Sequence, residues 1–127
     1  MKTRTFLDLV LAHEGEYCVW AIKGVKPNEQ IKQTFCLSTD DLLHEARNLN
    51  DNGWNAFFAL GTFFDSSSRT AKNMQWMKSF FLDLDCGPEK EFPSQVVAID
   101  ELRTFCENNS LPTPTLVNSG RGVHVYW

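Results

Sequence analysis

Four cysteines, Cys18, Cys36, Cys86 and Cys106, are scattered along the chain without a C-x-x-C pair, and none has a histidine at zinc-ligand spacing. That spacing speaks against a zinc site. Long apolar runs are missing as well: no stretch of about 18 apolar residues exists to span a membrane as a helix, and the N-terminus lacks the charged, apolar and small-residue succession of a signal peptide. Reduced thiols in a cytoplasm are therefore expected. Positive charge is scarce, 12 Lys and Arg against 16 Asp and Glu giving a net charge of −4. A protein that coats nucleic acid through bulk positive charge is excluded, so any nucleic-acid contact must be local. No internal repeat and no linker is present.

What the chain does have is apolar and aromatic bulk. Its 127 residues are 43% apolar, with ten Phe and four Trp, enough to fill the core of one compact domain. Phe6, Leu7, Leu9, Val10 and Leu11 predict a short helix over Thr5–His13, opened by Thr3 or Thr5. Tyr17–Ile22 and Gln33–Leu37 read as strands joined by a turn containing Gly24, Pro27 and Asn28. Ser38 with Asp41 resembles a capping box, and Leu42, Leu43, Ala46 and Leu49 recur at helical spacing up to Asn52-Gly53. Trp54–Phe63 predicts a buried strand, Asp65–Asn73 a polar loop that is flexible unless a ligand orders it, and Met77–Asp85 the strongest strand of all, stopped by Gly87-Pro88. Ser94 predicts the start of a helix over Gln95–Asn108, with Val97 or Ala98, Leu102, Phe105 and Cys106 on its apolar face. A strand at Thr115–Val117, a glycine turn at Ser119–Gly122 and a strand from Val123 complete an α+β, or α/β layered, pattern.

Two segments carry chemistry. In Phe81-Leu82-Asp83-Leu84-Asp85, alternation sets Asp83 and Asp85 on one strand face with Cα atoms roughly 6.5 to 7 Å apart, while Leu82 and Leu84 point to the core. Two such carboxylates are either a cradle for a hard divalent cation, Mg²⁺ or Mn²⁺, or a solvent-facing pair at a strand end. In Ser119-Gly120-Arg121-Gly122-Val123-His124, two glycines let the backbone turn tightly and offer N–H groups to an anion, with the Ser119 hydroxyl and the Arg121 guanidinium beside them. This is a phosphate nest in outline or a plain hairpin. His124 shares a face with Tyr126, opposite Val123, Val125 and Trp127. A third locality, between Asp65 and Asp83, holds no acidic residue but has Arg69, Lys72 and Lys78 near Trp76, Phe80 and Phe81. Arg69 and Lys72 are candidate nucleic-acid contacts there, unless the stretch is only a solvated loop and a buried strand.

Together, Asp83/Asp85, the Ser94–Asn109 helix and Ser119 through His124 resemble the archaeo-eukaryotic primase superfamily, especially primase-polymerase domains of phages, plasmids and mobile elements. Its members have a D-x-D or D-x-E strand, a helix and a strand opened by an S-G-x-G-x-H type motif. The resemblance covers roughly Met77–Trp127. It implies that the full-length parent is a DNA primase/polymerase, with Asp83 and Asp85 holding divalent metals and His124, Ser119 and Arg121 contacting the incoming nucleoside triphosphate, and that these 127 residues alone catalyse little. A DNA template and a fused or associated replicative helicase are implied partners, in the host cytoplasm if phage-encoded. The implied architecture is an N-terminal α/β module over 1–75, then the start of an RRM-like catalytic half over 76–127 with the two motifs on neighbouring strands. The family's third acidic ligand follows the His motif, so the chain is expected to stop short of it in mid-strand, with an unpaired sheet edge beside Val123–Trp127.

Two enzymatic rivals share the D-x-D element. A haloacid-dehalogenase-type phosphatase expects Gly-Thr after the second Asp, where Cys86-Gly87-Pro88 stands, and a glycosyltransferase D-x-D site leaves Ser119–His124 without a role. The non-enzymatic rival is a replication-associated nucleic-acid-binding module.

Overall fold

The structure, a computed structural model, describes residues 1–127. The chain divides into two compact units, Met1–Lys78 and Ser79–Trp127.

In the first unit, helix α1 (Thr3–Val10) begins before the expected start, and neither threonine caps it; Lys2 stands at the N-cap without a side-chain bond. Burial of Leu7, Val10 and Leu11 anchors it instead, and the chain is extended from Leu11, short of His13. Strand β1 (Tyr17–Lys23) lies between β2 (Gln30–Cys36) and β3 (Asn55–Phe58), antiparallel to both. Helix α2 (Thr39–Asp51) starts where the capping box places it: Ser38 Oγ accepts the Asp41 N–H at 3.1 Å and lies 2.6 Å from Asp41 Oδ2. It ends at Asn52, before Gly53 in the left-handed region. The helices cover one face of the sheet, where Phe6 meets Phe58 and Glu45 takes Thr34 and Lys32.

The expected single strand over Trp54–Phe63 is two. After β3 the Ala59 N–H bonds to Cys18 O, and β4 (Gly61–Phe63) pairs with β5 (Met74–Met77) in a separate two-stranded sheet. The apolar run is continuous, but its backbone partners change midway, and hydrophobicity does not encode partners. Between β4 and β5 the loop needs no ligand to order it. The buried Asn73 side chain donates to Asp65 O at 2.7 Å and Ser68 O at 2.8 Å, and Asp65 Oδ1 accepts the Ser67 N–H. Hydrogen bonding from the Ser67 side chain, and then from its backbone N–H, holds the Asp65 carboxyl below its ordinary pKa.

Met77–Asp85 is likewise not one strand. β5 ends at Met77, and β6 (Phe81–Asp85) belongs to the second unit, with Phe80, Phe81 and Leu82 well exposed rather than buried. Helix α3 (Gln95–Asn108) starts from Ser94, whose Oγ accepts the Val97 N–H. β7 (Thr115–Asn118) and β8 (Gly122–Tyr126) complete an antiparallel sheet ordered β6-β8-β7. Leu84, Val123 and Val125 pack with Ala98, Leu102 and Cys106 of α3. Ala98 takes the core position, and Val97 and Phe105 stay partly exposed. Leu82 is no core residue: it is 41% exposed and lines an open groove with Leu84, Phe92 and Phe105. The expected unpaired edge beside Val123–Trp127 does not exist either, because β8 is central and the sheet edges are β6 and β7.

The chain is thus α+β, antiparallel sheets with helices packed on them. No helix is long and apolar enough to cross a membrane.

Candidate functional site

Register on the β6–β8 pair sets the geometry. Phe80 and Trp127 exchange both of their backbone bonds, at 2.9 and 3.1 Å. Antiparallel ladders alternate, so Asp83↔His124 and Asp85↔Gly122 are non-hydrogen-bonded pairs, in which Cα atoms approach to about 4.5 Å and side chains lie closest. Asp83 Oδ1 accordingly stands 3.7 Å from His124 Nε2. Leu84, Val123 and Val125 point to α3, so Asp83, Asp85 and His124 occupy the opposite face. The two carboxylates are open to solvent, with side chains 50% and 65% exposed. Phe81 flanks them, edge-on to His124 at 5.3 Å and tilted to Tyr126 at 5.2 Å. Tyr126 is buried, which pushes its hydroxyl pKa up, and the charge of Asp83 adds to the rise.

The two glycines of the turn serve different needs. Gly120, at φ +91°, is the first central residue of a two-residue hairpin loop closed by Ser119 N–H to Gly122 O at 3.1 Å. Positive φ at that position alone is the signature of a II′-type turn. Gly122 is needed for proximity: a Cβ there would lie 2.2 Å from Leu84 O and 3.3 Å from Asp85 Cα. The backbones of the two motifs touch at this point, and only glycine permits it.

The turn is also braced. Asn118 Oδ1 accepts the Gly120 N–H at 2.7 Å and Gln95 Nε2 at 2.9 Å, and Gln95 Nε2 reaches Gly122 O at 2.9 Å. The Ser119 and Gly120 amides are thus engaged inside the turn. An anion bound at the motif would depend on the exposed Arg121 side chain and the Ser119 hydroxyl more than on a row of free amides. Gln95, the first residue of α3, was not singled out by the sequence, because its role depends on the helix start meeting a turn 23 residues onward.

Lys90 was missed too. The chain folds back after Gly87, where Gly87 N–H bonds to Phe92 O, and brings Lys90 Nζ to 3.2 Å from Asp85 Oδ2. Each carboxylate of the pair therefore has a cationic or imidazole neighbour, Lys90 at Asp85 and His124 at Asp83. Arg69 and Lys72 belong to the first unit, in the loop before β5. Lys72 is exposed, and the Arg69 guanidinium lies 5.2 Å over the Trp20 ring.

The donor chemistry on this face fits a hard divalent cation in part. Asp83 and Asp85 offer carboxylate oxygens on one exposed face, the ligand type that Mg²⁺ and Mn²⁺ prefer. No group of three or more His, Cys, Asp or Glu side chains converges to hold a metal, so water and a ligand's own oxygens would have to complete the shell. In comparisons with known proteins the chain matches no family model, no curated protein and no solved structure.

Proposed function

We propose that this chain carries the catalytic face of a primase-polymerase, a DNA primase/polymerase of archaeo-eukaryotic type that works in the replication of a phage, plasmid or mobile element. The observation that carries the reading is the β6–β8 register, which sets Asp83 opposite His124 and Asp85 opposite Gly122 on the open face of one sheet. Two motifs about 40 residues apart in sequence converge on one patch, in the order and with the intervening helix that the family resemblance implies. In this reading the second unit is the start of an RRM-like catalytic half.

Asp83 and Asp85 would hold Mg²⁺ or Mn²⁺, which when bound stabilises charge on the attacking and leaving oxygens of nucleotidyl transfer. His124, 3.7 Å from Asp83, would donate to a phosphate of the incoming nucleoside triphosphate. Arg121, at the turn tip, supplies a planar donor fork suited to phosphate, and Ser119 a hydroxyl. Gln95 and Asn118 hold the turn so that these donors start from a fixed position. Lys90 adds positive charge beside Asp85 and would exchange partners when a cation or a triphosphate arrives. The four free thiols are in keeping with work in the cytoplasm, and a replicative helicase, fused or associated, is the expected partner.

Template-directed incorporation of labelled nucleotides with Mn²⁺ or Mg²⁺ tests the proposal. Incorporation that disappears in Asp83→Asn and Asp85→Asn supports it. Nucleotide and DNA binding without incorporation points to the non-catalytic replication module, and phosphate release from a generic ester points to the phosphatase.

A further inference from the structure

The three-stranded sheet of the first unit has a second face, opposite the one that α1 and α2 cover. On it the register sets Trp20 between Gln33 and Phe57, and Ile22 between Ile31 and Asn55. The Trp20 and Phe57 rings are 5.4 Å apart at 43°. Phe57 keeps 49% of its surface exposed, and Ile31 is exposed as well. Aromatic pairs across strands are common sheet stabilisers, but two further features go beyond that role. The loop before β5 delivers the Arg69 guanidinium to 5.2 Å over the Trp20 ring, on a frame tied by Asn73. Arg69 forms no ion pair, and Gln33 and Asn55 are the only polar residues that the register adds to the face. In a chain with 16 acidic residues and a net charge of −4, an aromatic surface whose paired positions hold no acidic residue, with an arginine free of ion pairs over it, is complementary to a polyanion with exposed π-faces.

We propose that this face is a stacking platform for single-stranded nucleic acid. A base lies on Phe57 and the open part of Trp20, and Arg69 meets the adjoining phosphate. Gln33 and Asn55 offer hydrogen bonds to base edges without charge. Duplex DNA, whose bases are already stacked on one another, gains nothing from such a surface. The inference deepens the primase-polymerase reading by giving the template strand a docking surface, and it rests on that reading only in calling the bound strand a template.

The test is equilibrium binding of a fluorescent oligothymidylate to the 127-residue chain, followed by anisotropy without nucleotide or metal. Phe57→Ala is expected to weaken binding roughly five- to a hundredfold, the effect of removing one stacking platform. Arg69→Ala is expected to weaken it and to reduce the slope of log affinity against log salt by about one. Weak duplex binding should be insensitive to Phe57→Ala. If Phe57→Ala loses its circular dichroism or its cooperative melt, Phe57→Leu replaces it, keeping apolar volume and lacking the π-face. Four results would overturn the platform: no binding by the unaltered chain, full affinity in the folded Phe57 variant, equal loss for duplex and single strand, or a change only in self-association by light scattering. Sensitivity to Phe57 in a protein that never incorporates nucleotides, even when it carries the third acidic ligand, would retire the catalytic reading and leave the platform standing. Intact incorporation with binding indifferent to Phe57 would do the reverse.

Discussion

Gly122→Ala is expected to damage fold and site together, because the glycine is where the two motif strands touch. A Cβ at this position would stand 2.2 Å from Leu84 O and 3.1 Å from Leu84 C. All the obstructing atoms are backbone, so no side chain can swing aside, and β6 and β8 must move apart by about 1 Å to reach ordinary van der Waals distance. Overpacking of this kind costs typically about 1 to 3 kcal/mol. Separation also weakens the neighbouring Cys86 N–H to Arg121 O bond, now 3.0 Å, for roughly another 1 kcal/mol. A total near 3 kcal/mol is a large share of the roughly 5 to 15 kcal/mol that keeps a domain folded, and it corresponds to a melting-temperature drop of roughly 10 °C. Gly120→Ala is the control. Nothing lies within 4 Å of its Cβ, so it bears only the left-handed backbone penalty of about 1 to 2 kcal/mol, and Gly120→Asn should recover part of that. Thermal melts of the three variants, together with nucleotide binding, check the reasoning. A Gly122→Ala protein that melts within a degree of the unaltered chain and binds nucleotide normally would refute the claim that backbone proximity at Leu84 sets the site.

Asp83→Asn and Asp85→Asn are expected to abolish metal-dependent primer extension while changing stability by no more than about 0.5 kcal/mol, since both side chains are exposed; full extension by either variant removes the metal assignment. His124→Ala should raise the apparent dissociation constant for nucleotide by roughly 10- to 150-fold, the effect of about 1.5 to 3 kcal/mol for a charge-assisted contact, with template affinity unchanged. A fall in stability with unaltered nucleotide affinity would make His124 structural. Alkaline stability should depend on Cys36, whose thiol burial pushes up from 9.0 to about 11. A raised pKa favours the protonated folded form, so this contribution is complete below pH 9.0 and is lost as pH climbs towards about 11. Urea melts from pH 8 to 11 should show a shallower decline in Cys36→Ala, and identical slopes would dismiss the linkage.

Local chemistry was legible in the sequence wherever the physics is local. Ser38 and Ser94 marked two helix starts because a capping hydroxyl needs only a backbone N–H three residues on. Gly53 marked a helix end because its backbone conformation is its own affair. Strand alternation placed Asp83 and Asp85 on one face for the same reason. Where burial substituted for a cap, as in α1, the sequence misplaced the boundary.

Partnership was decided only in three dimensions. The stretches Trp54–Phe63 and Met77–Asp85 each break where the backbone changes its hydrogen-bonding partner; polar Lys78-Ser79 stands at the second break, but nothing in the composition of Ala59-Leu60 marks the first. The chain from Val123 reads as an edge but is central, because β7 returns antiparallel beside it. Asp83 meets His124 through a pairing register, Asp85 meets Lys90 through a reversal after Gly87, and Gln95 meets Asn118 through the placement of a helix start on a turn. Residue types and spacing specify which groups a segment can offer. Which groups meet depends on contacts distant in sequence, whose energy is realised only when the whole sheet has formed.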